Sequence, residues 1–154
     1  MARIAARADD EFDYDAWGAR VHEIASTMQP HVDDTVTLGM TNAAWRAALE
    51  TNASAIICIT HTGFTVRSIA RFRPEAKILG FSTDPQTLRQ LTLSWGAIPQ
   101  HLDVDYQADD VITRVVAQAR ENGLIRRGDL VAVLSGSREY PGQATDSLRL
   151  IPIR

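Results

Sequence analysis

From Ala55 onward, short apolar runs alternate with stretches of helical spacing, and this alternation strongly limits the folds open to the chain. The runs are rich in β-branched residues, which is typical of strands covered on both faces. We predict strands at Ala55–Ile59, Lys77–Phe81, Ala97–His101, Leu130–Leu134 and Leu148–Ile153. Helices are predicted between them at Val66–Phe72, Pro85–Trp95 and Asp109–Asn122. Such alternation favours a parallel or mixed sheet with helices on both faces.

The part of the chain before Ala55 has helical patterns only. Apolar residues recur at helical spacing from Asp13 to Met28, and a second, Ala-rich helix is expected from about Asp34 to Thr51. Residues 1–12 are expected to form a loose N-terminal segment. The loop before the last strand is too short for a parallel crossover, so that strand is predicted to be antiparallel. We therefore expect one α/β domain over residues 1–154, a three-layer α/β/α sandwich around an about five-stranded, mostly parallel sheet.

The composition argues against several classes of protein. The 154 residues carry a formal net charge of −3, so the basic footprint of a nucleic-acid-binding protein is missing. No apolar run approaches the roughly 20 residues that a membrane-spanning helix needs. We therefore expect a cytoplasmic protein whose partners are neither nucleic acid nor membrane. The single cysteine, Cys58, lies within the first apolar strand, and we interpret it as a buried, inert thiol.

The segment after the first predicted strand is the strongest candidate for a binding site. Its sequence is Thr60-His61-Thr62-Gly63-Phe64-Thr65. A strand, a Gly-containing turn and a helix N-terminus direct backbone N–H groups outward, and phosphates and carboxylates bind such ends. The three threonine hydroxyls would add donors. The alternative is an ordinary strand-to-helix connection, in which glycine provides backbone freedom and threonine caps the helix.

The other chemistry-bearing residues predict neither a catalytic nor a metal site, and no cofactor is expected. Signatures of Ser-His-Asp, Cys-His and Walker type are missing from the sequence. An acidic cluster is interpreted as solvated charge plus a helix N-terminal carboxylate: Asp103, Asp105, Asp109 and Asp110. No partner pattern that would suggest a zinc site accompanies His22, His31 and His101. Trp95 is expected to pack rather than to stack on a ligand, and Trp17 and Trp45 belong in the core or at a subunit interface.

A series of sequence blocks occurs in the order in which one family has them. The blocks are Met1–Ala5, Ala53–Thr65, Arg71–Pro74, Lys77–Gln90, Arg127–Gly136 and Thr145–Arg149. The second to sixth blocks are similar, in this order, to five patterns of the family. The patterns are A-x-A-I-I-x-x-T-x-[ST]-G-x-[ST], A-R-[FY]-R-P, a strand followed by x-x-P-x-T-x-R-x-L, K-x-G-D-x-V-V-x-x-[ST]-G and T-N-x-x-[KR]-V. The first block resembles the point at which the family's chain leaves its catalytic barrel. Taken together, the blocks resemble the C-terminal domain of pyruvate kinase.

The resemblance implies a regulatory domain without catalytic residues of its own. In pyruvate kinases the catalytic lysine, arginine and metal-binding carboxylates lie in a separate barrel, which this sequence does not contain. The C-terminal domain is an α/β sandwich that makes subunit contacts and, in many members, binds phosphorylated allosteric effectors. The resemblance therefore implies a role in glycolysis, in a homo-oligomer or paired with a pyruvate kinase barrel.

The resemblance also implies which residues bind a ligand. Thr60, Thr62, Gly63 and Thr65 would hold a phosphate, and the segment from Gly136 to Ala144 would close over the ligand. The remaining residues of the expected site are His61, Phe64, Arg138 and Gly142. Sugar-bisphosphate-binding members often have Lys and Arg at the positions of His61 and Phe64. Because charge-assisted contacts are roughly twice as strong as neutral ones, we expect a single phosphate or another anion here.

Two other functions stay open at this point. One alternative is that the chain is an enzyme in its own right, which acts on a phosphorylated or nucleotide substrate at the same strand ends. The other alternative is that it is a pure assembly module with a degenerate pocket, in which the edge of the last strand pairs with another copy.

Overall fold

A single central sheet carries the fold. The computed structural model describes residues 2–27, 32–104, 110–136 and 144–154. The strands within these residues are β1 (Ala55–Ile59), β2 (Lys77–Ser82), β3 (Ala97–His101), β4 (Leu130–Gly136) and β5 (Thr145–Pro152). They form a sheet in the order β3-β2-β1-β4-β5, with β5 antiparallel to β4 and the other neighbours parallel. The predicted fold class is confirmed.

Helices precede the sheet and connect its strands. Those within the described residues are α1 (Ala2–Asp10), α2 (Tyr14–Ser26), α3 (Val32–Thr51), α4 (Phe64–Ala70), α5 (Pro85–Leu91) and α6 (Val111–Glu121). Aspartates cap two of these helices: the Asp13 carboxylate accepts a hydrogen bond from the Ala16 N–H at 2.9 Å, and Asp84 caps α5. None of the helices in these ranges is both long and apolar enough to cross a membrane.

The order of the strands reverses beside β1. Ala55 of β1 lies opposite Lys77 of β2 on one side and Val131 of β4 on the other. The chain runs outward from β1 through β2 to β3, and α6 then returns it across the sheet to β4. The carboxyl ends of β1 and β4 are therefore neighbours at a switch point. Open α/β sheets place their ligands outside the strand ends at such a point.

Helices cover both faces of the sheet. On one face, Ile56 of β1 belongs to a buried cluster with Trp45 of α3 and Val66 of α4. On the other face, Ile57 belongs to a second cluster with Val115 of α6. All residues of β1 are buried, because alternate side chains point into the two clusters. These layers form the expected α/β/α sandwich.

Trp45 joins α2 and α3 to the rest of the core. Its ring stacks on Phe72 with 5.1 Å between centroids and an interplanar angle of 13°. On its other side, a Cβ added to Gly18 of α2 would lie only 2.2 Å from the Cζ2 atom of Trp45. Helix α2 therefore needs glycine at this position in order to approach α3.

The predicted C-terminal end of α5 is wrong. The sequence pattern extends this helix from Pro85 to Trp95, whereas α5 ends at Leu91. The chain leaves the helix through a tighter turn, in which the Ser94 N–H donates to the Leu91 carbonyl at 2.9 Å. Leu93, which lies within the predicted extension, is 91% exposed.

Other boundaries also differ from the sequence predictions; α4, for example, spans Phe64–Ala70 instead of Val66–Phe72. The last strand begins at Thr145 instead of Leu148, because Thr145 pairs with Gly136 after an irregularity in the β4–β5 register. At the N-terminus, the segment expected to be loose contains the helix α1, which has no buried residue.

The close approach at Gly18 gives a matched pair of variants. Alanine in place of a helical glycine stabilises a helix by about 1 kcal/mol, but overpacking a filled site costs about 1–3 kcal/mol. We expect Gly18→Ala to lower the free energy of unfolding, measured in urea. Gly39→Ala on α3 is the control and should raise it, because a Cβ there has nothing within 4 Å. An equal gain in both variants would contradict the packing of α2 on Trp45.

Candidate functional site

The predicted binding turn lies at the switch point of the sheet. It directly follows β1, and the Thr60 N–H donates to the Phe81 carbonyl of β2 at 2.9 Å. The next residues lead into α4 through Gly63, whose φ of 78° is in the left-handed region. Glycine adopts this conformation without the strain that other residues have, which explains its place in the turn. The predicted element thus stands where a ligand site is expected.

The turn is held together by its own hydrogen bonds. The Gly63 N–H donates to the Thr60 hydroxyl at 2.9 Å, and the Phe64 N–H contacts the Thr62 hydroxyl at 3.4 Å. Two of the N–H groups that the sequence analysis assigned to a ligand are therefore engaged within the turn. Thr60 and Gly63 are buried, whereas His61 and Thr62 are exposed.

A buried set of threonines fixes the turn to distant parts of the chain. The hydroxyls of Thr65 on α4 and Thr145 on β5 are 2.6 Å apart and share a hydrogen bond. The Thr145 N–H in turn donates to the Thr37 hydroxyl of α3 at 3.0 Å. All three residues are buried. Thr65 thus contributes to the position of the turn, and its hydroxyl is already paired with protein.

Helix α5 supports the turn from the side of β2. The Thr87 hydroxyl lies 2.9 Å from the His61 carbonyl oxygen and 2.8 Å from the Asp84 carboxylate, and these two acceptors share its single proton. Asp84 also accepts from the backbone N–H groups of Gln86 at 3.0 Å and Thr87 at 3.1 Å. The hydrogen bond from the Thr87 side chain is the main cause that lowers the pKa of the Asp84 carboxyl, followed by these backbone bonds, and the charge of His61 acts in the same direction.

Arg67 is the cation of the turn, and the sequence analysis missed it. It lies one helical turn beyond Gly63, and its Nη1 donates to the Thr62 carbonyl at 3.0 Å. The same atom is 2.8 Å from the position that a Cβ on Gly63 would take. The absence of a side chain at Gly63 therefore allows the guanidinium to lie against the turn. The i, i+4 spacing from Gly63 is the signal that identifies Arg67.

Other predicted residues lie apart from the turn or outside the described residues. Arg138 and Gly142, expected to close over a ligand, lie outside, as do Asp105 and Asp109 of the acidic cluster. The described members of that cluster have other partners: Asp103 is 3.5 Å from His101 Nε2, and Asp110 pairs with Arg114 at 2.7 Å. Residues 2–27, 32–104, 110–136 and 144–154 contain no group of three or more potential metal ligands.

Cys58 lies one residue before the end of β1 but does not reach the turn. It is fully buried in the sheet, and burial raises the pKa of its thiol to about 12. Thiolate is the reactive form of cysteine, so the side chain behaves as a small apolar residue.

Comparison with known proteins identifies relatives for the whole described fold. The sequence profile described as "Pyruvate kinase, alpha/beta domain" matches residues 39–151. A pyruvate kinase of Clostridium acetobutylicum is 35% identical over 150 residues, which cover 97% of this chain and 30% of that protein. A pyruvate kinase of Staphylococcus haemolyticus is 29% identical over 150 residues, which cover 97% of this chain and 24% of that protein.

Solved structures agree with the sequence relatives. A pyruvate kinase from Cryptosporidium parvum matches with a TM-score of 0.83 and 27% identity, over 100% of this chain and 29% of that one. A structure of the Cryptosporidium parvum enzyme in complex with ADP matches with a TM-score of 0.80 and 29% identity. The match covers 97% of this chain and 29% of that one. The chain spans less than a third of the length of these relatives.

The lowered pKa of Asp84 predicts a pH-dependent contribution to stability. The contribution is fully present above the ordinary carboxyl pKa of 3.8 and is lost as pH falls through the lowered value. We expect Asp84→Ala to destabilise the fold at neutral pH, with a deficit that shrinks in acid, measured by urea unfolding across the pH range. Glu75→Ala, at an exposed acidic residue, is the control. A deficit for Asp84→Ala that is constant with pH would refute the role of the carboxylate.

Proposed function

This chain belongs to the pyruvate kinase alpha/beta domain family, and we propose that it is a non-catalytic regulatory domain that binds a phosphorylated metabolite or another small anion. The observation that carries the proposal is the position of Arg67, whose guanidinium lies against the turn at the carboxyl end of β1. Its bond to the Thr62 carbonyl uses one of the five N–H donors of the guanidinium. Phosphate and carboxylate match the fork of the remaining donors.

The charges around the turn favour a small ligand with one anionic group. Arg67 supplies positive charge on the α4 side of the turn. The Asp84 carboxylate at the start of α5 supplies negative charge on the other side, close enough for His61 to influence its pKa. A second phosphate directed toward α5 would meet this carboxylate. We therefore propose a monophosphate or a carboxylate as the ligand, in preference to a sugar bisphosphate.

The residues around the turn support binding in preference to catalysis. The Asp84 carboxylate accepts three hydrogen bonds as the cap of α5, and its lowered pKa makes it a weak base. Cys58 is buried with a raised pKa, so it is a poor nucleophile. We propose that catalysis resides in a pyruvate kinase barrel with which this domain pairs in the cytoplasm, as part of glycolysis.

Anion binding at the turn can be tested by calorimetric titration and thermal shift. The titrants are inorganic phosphate, sugar monophosphates and nucleoside monophosphates. We expect at least one to bind, and Arg67→Gln to weaken its binding by roughly tenfold or more, because a charge-assisted hydrogen bond is lost. Thr62→Val should weaken it less.

The control for this experiment is Arg46→Gln, which removes an exposed arginine from α3 and should leave binding unchanged. Equal loss in Arg46→Gln and Arg67→Gln would indicate non-specific attraction to positive charge. Failure of all the titrants to bind would remove the ligand-binding part of the proposal.

The edge of the sheet favours self-association as a second function of the same domain. Strand β5 lies at the end of the strand order with β4 as its neighbour, so its outer edge presents backbone N–H and C=O groups. It is eight residues long, and its Leu150 is 43% exposed. The opposite edge strand, β3, contains Pro99, which cannot donate to a ladder. We propose that β5 pairs with β5 of a second copy across a two-fold axis.

Light scattering from low micromolar to millimolar concentration tests this assembly. We expect a concentration-dependent dimer that Leu150→Lys weakens, because charge at a strand edge opposes pairing. Leu93→Lys is the matched control, since Leu93 is a more exposed leucine in the turn after α5. A monomer at every concentration would exclude the β5 contact.

A further inference from the structure

An open groove lies on the α3 side of the sheet, apart from the predicted binding turn. It has a volume of about 700 Å³ and runs between α2, α3, the end of α4 and the residues after α5. Small-molecule sites typically occupy about 300–1,000 Å³ and have mostly apolar walls with a few polar groups. The groove has the size and the shape of such a site.

Aromatic side chains form part of its walls. Trp17 of α2 and Trp95 after α5 both line the groove and are 37% and 36% exposed. The sequence predicts Trp17 in the core or at a subunit interface and a packed Trp95. In the structure, more than a third of the surface of each residue is accessible. Leu38 and Phe72 add apolar surface. A flat apolar body would contact this lining.

Two buried polar atoms belong to residues that line the groove. They are the Asn42 side-chain oxygen and the Ser68 hydroxyl, and neither has a hydrogen-bond partner among the described residues. Ser68 is only 1% exposed. Buried polar groups form hydrogen bonds in the great majority of cases. Two unpaired polar atoms among the residues of one groove therefore indicate that a bound molecule supplies the missing hydrogen bonds. The Asn42 oxygen requires a hydrogen-bond donor, and the Ser68 hydroxyl accepts or donates.

The charges that line the groove have one sign. Arg67, Arg71 and Arg73 line it, and its described lining residues include no Asp or Glu. The Arg73 guanidinium lies 5.2 Å from the centre of the Trp17 ring and 5.9 Å from that of Trp95. This aromatic frame orders the cation and displaces part of its water. An anionic group at the rim would therefore meet oriented positive charge.

We propose that this groove binds a small organic anion with a flat apolar body and at least one hydrogen-bond donor. The apolar body packs on the apolar lining beside the tryptophans, the donor pairs with Asn42 or Ser68, and the anionic group contacts Arg71 and Arg73. The site differs from the turn after β1 in its ligand class and shares only Arg67 with it.

Anilinonaphthalene sulfonate is the test probe, since it has two aromatic units, an N–H donor and an anionic group. We expect one probe molecule to bind per chain, with enhanced probe fluorescence and quenching of tryptophan emission. Phenylnaphthylamine has the same rings and N–H but no sulfonate, and it should bind roughly tenfold more weakly or worse, because charge-assisted bonds are lost. Equal affinity for the two probes would overturn the assignment of an anion.

Two variants locate the probe. Gly39→Phe places a side chain at the groove where a Cβ has nothing within 4 Å, and it should abolish binding. Ser68→Ala should weaken binding by up to about tenfold without lowering the unfolding temperature, because a neutral hydrogen bond to the ligand is lost and an orphaned hydroxyl is removed. Circular dichroism verifies that both variants are folded.

Controls separate this site from the others. Leu150→Ser on β5 and Thr62→Val in the turn should leave probe binding unchanged, whereas Thr62→Val should weaken phosphate binding. Probe binding that survives Gly39→Phe would overturn the proposal, as would binding that Leu150→Ser reduces. If the free chain binds no probe and Gly39→Phe disrupts a dimer, the groove is covered by a second copy and the proposal is wrong.

Discussion

The burial of β1 on both faces is the constraint on which the rest of the structure depends. Its residues pack alternately into the cluster under α3 and α4 and into the cluster under α6. Because β2 and β4 pair with β1 in parallel, their positions follow from it. The turn at Thr60 then emerges at the carboxyl edge of the sheet, next to the end of β4. A shift of β1 by one residue would exchange the two faces and displace the turn.

Several polar groups around this turn hold its backbone in place, and an exposed cation lies at its edge. The buried hydroxyls of Thr37, Thr65 and Thr145 join α3, α4 and β5, and Thr87 joins the turn to α5. These bonds fix the turn before any ligand arrives, which reduces the entropic cost of binding. Arg67 is exposed, and its guanidinium donates a hydrogen bond to the Thr62 carbonyl of the turn. A rigid turn with a cation at its edge is suited to recognising a small anion.

Helix α4 connects the turn with the groove on the α3 side. Arg67 touches both, and Ser68 is the next residue along the helix. The helix packs between β2 and α3, with Val66 and Ile69 fully buried. The ligands proposed for the turn and for the groove would therefore both contact residues of α4.

The sequence by itself determined the strands, their mixed arrangement, the location of the turn and the inert character of Cys58. These features follow from local patterns: apolar runs, capping residues and loops too short for a crossover. The tertiary structure alone decided that the Thr65 hydroxyl pairs with Thr145, eighty residues away, and that Arg67 lies over Gly63. It also decided that α5 ends early and that Trp17 and Trp95 flank a groove with two orphaned polar atoms. Contacts between distant segments depend on packing distances and side-chain directions, which no local pattern contains.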